Sequence, residues 1–234
     1  MTELIEETPR VRSIVLDLPD WTGHRAGQHV DVRLTAEDGY QAQRSYSIAS
    51  APEDDSLVLT VERLDDGEVS PYLADELRPG DQLELRGPIG GYFVWEEGSG
   101  GPLLLLAGGS GIVPFRSILR HRAAAGSSVP VRLLYSSRAL DEVIYREELA
   151  SLAAGAEVDV RFTLTREWPE GWTGFRRRID EELLREVAWS PEERPLVYIC
   201  GPTAFVETAA SGLVGLGHEP SRIKTERFGP TGGR

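Results

Sequence analysis

The chain has 234 residues, 40% of them hydrophobic and 27% charged, and a formal net charge of −13 at pH 7. That length suits one large domain or two small ones, and the acidic balance argues against general binding to nucleic acid or anionic membranes, which needs a basic surface. The longest apolar run, residues 103–107, is too short to span a bilayer; the single cysteine, Cys200, excludes an internal disulfide and a self-contained cluster with cysteine ligands.

The acidic N-terminus lacks the basic-then-apolar form of a signal peptide, so a cytoplasmic protein is expected. Residues 10–18 give the first predicted strand, ended by Pro19 and Asp20. Residues 27–34 alternate more clearly, with Val30, Val32 and Leu34 inward and Asp31 and Arg33 outward. Glu37-Asp38-Gly39 is a hairpin turn. Residues 44–49, 57–64 and 82–85 supply further short strands separated by Pro, Gly and Asp, as in a small antiparallel barrel. One helix interrupts them, with Ser70 as N-cap, Pro71 in the first turn, and Leu73 and Leu77 four apart over residues 72–77.

From residue 99 the pattern changes. Residues 103–107 read as a strand buried on both faces, followed at once by Gly108, Gly109, Ser110 and Gly111 and then by a helix that Pro114 opens. Strands are expected at 130–135, 158–163, 196–199 and 223–228. Helices are expected at 143–154 and 179–187 and from a turn at Cys200-Gly201-Pro202-Thr203 to about residue 216. Strands alternating with helices imply right-handed crossovers and a doubly wound parallel sheet of five strands. The expected architecture is therefore β plus α/β: a six-stranded antiparallel β-barrel with one helix over residues 1–98, and a five-stranded parallel α/β domain over 99–234.

Three features in this frame suit phosphate. The turn at residues 108–111 has the strand–glycine–helix form that aims backbone N–H groups at an anion. Alone, Gly-x-Gly-x-x-Pro is a weak signal, since a tight turn into a core helix has the same pattern. In Arg44-Ser45-Tyr46-Ser47 the alternation puts Arg44 and Tyr46 on one face, where they could sandwich a flat, phosphate-bearing cofactor; a routine surface pair is the plainer reading. Gly67-Glu68-Val69-Ser70-Pro71 leads a glycine turn into a helix, again an anion site in principle or a simple joint. The three together weigh more than any one alone.

Parallel sheets of this kind bind ligands at the carboxyl ends of their strands. Ser137-Arg138 and Thr165-Arg166 fall there, each a hydroxyl beside a guanidinium, a pairing that suits a terminal phosphate as well as an ordinary salt bridge. Arg176-Arg177-Arg178 reads as a solvated basic face or as a docking patch. The four histidines show no metal spacing, and no metal site is expected.

These motifs, in this order and over nearly the whole chain, resemble the ferredoxin–NADP reductase superfamily in its bacterial oxygenase-reductase-like branch. The resemblance implies a barrel holding FAD, with FMN the less favoured flavin, and a sheet holding NADPH, with NADH the less favoured nucleotide. Carried over by position, Arg44, Tyr46, Ser47, Gly67, Val69, Ser70 and Phe228 would hold the flavin, with Ser47 near its N5 and Phe228 over the ring. Gly109, Ser110, Gly111 and Pro114 would cradle the dinucleotide diphosphate, and Tyr145 would lie beside the adenine. Ser137, Arg138, Thr165 and Arg166 would take the 2′-phosphate. Cys200, Gly201 and Pro202 would border the nicotinamide, with Ser47, Cys200 and Glu226 at the point of chemistry. Residues 229–234 continue past Phe228, a departure from the plant-type pattern, and His29 stands where the family often has an aromatic. The implied function is hydride transfer from NADPH to FAD and onward electron transfer to a separate ferredoxin, oxygenase component, haem protein or small molecule, by a monomer with no nucleic-acid or membrane partner. The alternatives are an NADH-using oxygenase reductase component and a non-catalytic flavin- or nucleotide-binding subunit.

Overall fold

In the computed structural model, residues 1–155 and 158–229 are described. The chain forms two compact units: residues 1–95 with 113–126, and residues 96–112 with the chain from Ser127 onward.

The first unit contains β1 (Glu3–Thr8), β2 (Val11–Leu16), β3 (His29–Thr35), β4 (Gln41–Ser47), β5 (Leu57–Glu62) and β6 (Glu84–Ile89). They form two three-stranded antiparallel sheets, β1-β2-β5 and β4-β3-β6, joined by an antiparallel bridge between Ile48 and Leu59. Val30 and Val32 on β3 meet Ile14, Leu16, Ile48, Leu59 and Val61 in one apolar core, the face that the period-two pattern predicts. Strand β1 was not expected. It lies at a sheet edge with Glu3 and Glu6 exposed and only Leu4 and Ile5 apolar, so its pairing leaves little trace in the sequence. Strand β6 starts at Glu84 and runs past the expected limit of 85 to Ile89.

The predicted helix is a single π-helical turn, Tyr72–Glu76, and Ser70 does not cap it. The Ser70 hydroxyl instead accepts the Leu64 N–H at 3.1 Å, closing the loop that precedes the turn. Val69, Leu73 and Leu77 are buried in the barrel core, and they fix the segment there. Helix α1 (Val113–Ala124) also packs in this unit. Its Ser117 hydroxyl donates to the Ser50 carbonyl at 2.6 Å, Arg120 forks onto Asp54 at 2.8 and 3.0 Å, and Phe115 stacks on Phe93.

The second unit is a parallel sheet in the order β11-β10-β7-β8-β9, with β7 (Leu103–Gly108), β8 (Val131–Ser137), β9 (Asp159–Leu164), β10 (Leu196–Pro202) and β11 (Ile223–Phe228). Every residue of β7 is buried, as its apolar run requires. Leu104, Leu106, Val197 and Ile199 pack on α3 (Glu181–Val187) and α4 (Thr203–Gly215), and α2 spans Arg146–Ala154. Helix α2 starts three residues later than expected because Tyr145 takes a left-handed conformation (φ 58°) and sets the entry. Cys200-Gly201-Pro202 is not a turn: the three residues extend β10, in parallel register with Glu226, Arg227 and Phe228 of β11.

Order runs outward from β7 through β8 to β9, then restarts on the other flank with β10 and β11. The direction of winding therefore reverses between β7 and β10, where a doubly wound sheet opens a crevice at its carboxyl edge.

Candidate functional site

The site residues fall into two groups, one in each unit. In the first, antiparallel register pairs Arg44 with Val32 and Tyr46 with Val30, while Ser45 faces Asp31, to which its hydroxyl donates at 2.6 Å. Arg44 and Tyr46 thus share a face, as the alternation predicts. Tyr46 packs its ring against the barrel core, and burial pushes its hydroxyl pKa up to about 12, so it stays protonated at any working pH. Ser47 ends β4, half-buried and opposite His29.

Arg44 is 53% exposed and ion-paired to Glu68, which brings the first motif onto the second. The other Glu68 oxygen accepts the Tyr40 hydroxyl at 2.6 Å. A side chain on Gly67 would lie 2.7 Å from Ser70 Oγ and 3.2 Å from the Leu64 carbonyl oxygen, so the glycine lets the 64–70 loop close without a shift of Ser70. Val69 contributes its side chain to the core and leaves only its backbone for a ligand.

In the second unit, β7 passes through a 3₁₀ turn over Gly109–Ile112 to α1, with Pro114 in the first helical turn. Ser110 is half-buried in the turn. Gly111 lies against the carboxyl end of β10: a Cβ there would strike the Cys200 carbonyl and come within 2.8 Å of the Gly201 nitrogen. Gly109, at φ 54°, has nothing within 4 Å of such an atom, so the turn is open beside it. The Phe205 ring stands 3.0 Å from where side chains on Gly108 and Gly201 would begin.

Cys200 is buried, and desolvation, reinforced by Glu226 across the ladder, pushes its thiol well above the ordinary range. It is a neutral, small wall, not a thiolate nucleophile. Burial pushes the Glu226 carboxyl up to about 7, so near neutrality it is divided between acid and carboxylate. Phe228, two residues on, is partly exposed opposite Pro202. The tail from Pro230 lies outside the described residues. Two residues before Glu226 on the same strand, Lys224 sits over the Tyr198 ring with Nζ 3.3 Å from its hydroxyl.

The ends of β8 and β9 are tied backbone to backbone. Thr165 N–H donates to Ser137 O at 3.0 Å and Arg166 N–H to Arg138 O at 2.9 Å, which sets the two hydroxyl–guanidinium pairs side by side. Ser137 is buried and the Thr165 hydroxyl donates to the Ser137 carbonyl at 3.2 Å. Arg138 has a carboxylate, Glu142, only at 3.8 Å, and Arg166 has no ion-pair partner among the described residues. Tyr145 is buried at the start of α2. Of the three consecutive arginines, Arg177 pairs with Asp180 and Glu182, and Arg176 donates to the Trp172 carbonyl at 2.6 Å beside the Trp168 ring. Among the described residues no cluster of three or more His, Cys, Asp or Glu could hold a metal, and no helix is long and apolar enough to cross a membrane.

Comparison with known proteins accounts for this arrangement. Residues 2–94 match the oxidoreductase FAD-binding domain family and residues 105–211 the oxidoreductase NAD-binding domain family. Over 232 residues the chain is 35% identical to ferredoxin–NADP reductase B of Sorangium cellulosum (strain So ce56), covering 94% of this chain and 93% of that protein. The chain belongs to the ferredoxin–NADP reductase superfamily. Within the superfamily it is also similar to the glycine betaine monooxygenase reductase subunit of Pseudomonas aeruginosa (strain UCBPP-PA14), at 32% identity over 98% of this chain; it spans 63% of that relative's length. Its structure superposes on the flavohaem-like FAD/NAD-binding domain of nitric oxide dioxygenase from Vibrio cholerae O1 biovar El Tor with a TM-score of 0.86, at 28% identity, covering 97% of this chain and 96% of that one.

The residues present fit the two cofactors of a ferredoxin–NADP reductase. An exposed guanidinium stands beside a buried-stemmed tyrosine on the barrel, and a glycine turn with open space beside it stands at the switch point of the sheet. The residue that sequence reasoning passed over is Glu68. Its contact with Arg44 spans 24 positions and follows from tertiary packing, and no local pattern signals it.

Proposed function

We propose that the protein is an FAD-dependent reductase that draws electrons from NADPH and passes them to a separate acceptor, a ferredoxin or an oxygenase component. Bound flavin supplies the chemistry, taking a hydride from the reduced nicotinamide and releasing electrons singly. The chain's own residues bind and orient. Arg44, with the backbone of Gly67, Val69 and Ser70, would hold the flavin diphosphate, Tyr46 would offer its ring to the flavin, and the Ser47 hydroxyl would be a hydrogen-bonding group for the flavin ring. Gly109, Ser110, Gly111 and Pro114 seat the dinucleotide diphosphate at the start of α1. Cys200, Gly201 and Pro202 would give the nicotinamide a small-residue wall, Glu226 would hold a proton beside them, and Phe228 would supply an aromatic ring for the flavin. Tyr145 borders the adenine.

NADPH is favoured over NADH by one observation above others: the joined ends of β8 and β9 present Arg138 and Arg166 together, neither held by a close carboxylate among the described residues of a chain of net charge −13. Two guanidiniums beside the Ser137 and Thr165 hydroxyls suit the 2′-phosphate. The same reading takes the protein as a cytoplasmic monomer with the domain division at residue 98, free of nucleic-acid and membrane partners. The test is anaerobic rapid mixing of the flavin-loaded protein with each nucleotide. Bleaching of the flavin band, faster at low NADPH than at low NADH, is the expected result. A protein that binds no flavin, or whose flavin neither nucleotide bleaches, is a non-catalytic relative. Acid release of the flavin followed by chromatography should yield FAD; FMN alone would overturn that part.

A further inference from the structure

We infer that Glu68 is an internal competitor for the flavin: its carboxylate occupies the Arg44 guanidinium and so sets how readily flavin leaves the protein. The inference rests on the reading of Arg44 as the flavin's phosphate anchor. Three observations carry it.

Glu68 uses both carboxylate oxygens, one on Arg44 and the other on the Tyr40 hydroxyl at 2.6 Å, so it is held in place from two sides. Tyr40 sits in the turn between β3 and β4 and Glu68 in the 64–70 loop, and the three side chains form one clamp across the barrel end. The Tyr40 hydroxyl and then Arg44 hold the Glu68 carboxyl below its ordinary range, so it stays charged. The arginines at the base of the 64–70 loop are matched in the same way: Arg10 with Asp65 at 3.0 Å, Arg63 with Asp75 at 2.6 Å and also with Asp65. An arriving phosphate therefore exchanges one anion for another on Arg44 and does not meet a free cation. The side chains are 53% and 46% exposed, so the pair is screened by solvent and the exchange is a matter of degree.

The experiment dilutes flavin-loaded protein and reads FAD release by flavin fluorescence at equilibrium, in wild type, Glu68→Gln, Asp66→Asn, Arg44→Ala and the Arg44→Ala/Glu68→Gln double variant. Glu68→Gln should bind FAD about two- to fivefold more tightly. Asp66→Asn removes a nearby charge that does not touch Arg44 and should change affinity by less than about twofold. The gain should vanish in the Arg44→Ala background. Unchanged or weaker binding in Glu68→Gln, an equal gain in Asp66→Asn, or a gain that persists without Arg44 each overturns the inference. If Arg44→Ala alone leaves FAD affinity unchanged, the flavin-side reading falls, and the role of Glu68 falls with it. Loss of FAD in Arg44→Ala with no gain in Glu68→Gln overturns the inference alone.

Discussion

Arg166 and Arg138 are alike in sequence context and differ in surroundings. Arg166 has no ion-pair partner among the described residues, whereas Arg138 shares its charge with Glu142 at 3.8 Å. A charge-assisted contact to phosphate contributes about 1.5–3 kcal/mol, so Arg166→Ala should raise the NADPH KM about ten- to a hundredfold and leave NADH almost unchanged. Arg138→Ala should do the same to a lesser degree. Steady-state kinetics with both nucleotides checks this, and equal losses would mean that the arginines hold the shared diphosphate. Glu226 makes a prediction about pH. Its carboxyl titrates near 7 in the fold against 4.5 unfolded, so the folded protein binds that proton more tightly. Its stabilising contribution is complete below about 4.5 and is lost as pH rises to 7, a change of about 3 kcal/mol. Thermal melts from pH 5 to 8 should show Glu226→Gln gaining on wild type toward the alkaline end; parallel curves would contradict it. At this scale the sequence was informative where period two decides a face, as for Arg44 and Tyr46. It was silent on ionisation and on Glu68, because both depend on what tertiary packing brings near.

At the level of elements, the glycine turn is the least tolerant joint. A methyl on Gly111 would meet backbone atoms of Cys200 and Gly201, which cannot swing aside as a side chain could. Gly111→Ala should lower stability by about 2–4 kcal/mol and weaken both nucleotides alike, read by denaturant unfolding and nucleotide titration. A stable variant with normal KM values would show that the turn can move. The five parallel strands and their helices were legible because buried apolar runs and amphipathic helices leave strong periodic traces. Cys200-Gly201-Pro202 misled for a physical reason. Gly and Pro usually break a strand, but pairing with residues 226–228 of β11 carries β10 through them. Ser70 misled likewise, since a hydroxyl that suits a helix cap was taken by the Leu64 N–H.

On the scale of the whole molecule, charge would govern the meeting with the proposed acceptor. The basic run at residues 176–178 is largely answered by its own neighbours, Arg177 by Asp180 and Glu182 and Arg176 by the Trp172 carbonyl, which leaves the overall −13 in command. With an acidic ferredoxin as acceptor, the bimolecular rate should therefore rise several-fold between about 0.01 and 0.15 M salt, as the screening length shrinks from about 30 to 8 Å. Stopped-flow reduction of the acceptor measures it, and a falling rate would reveal a local cationic docking surface.

Lys224, set over Tyr198 on β11, is the only lysine among the 25 lysines and arginines of the chain. Burial lowers its pKa, so more of its amine is uncharged at a given pH than on a solvated lysine. The N-terminal amine, which donates to the Asp81 carbonyl at 3.0 Å, is the one other primary amine. An amine-reactive dye thus has a single side chain to find once the α-amine has been blocked at lower pH. That side chain lies two residues from Glu226 on the same strand, so a covalent fluorophore can be set near Cys200, the cross-strand partner of Glu226, without introducing a cysteine or altering any of the proposed site residues.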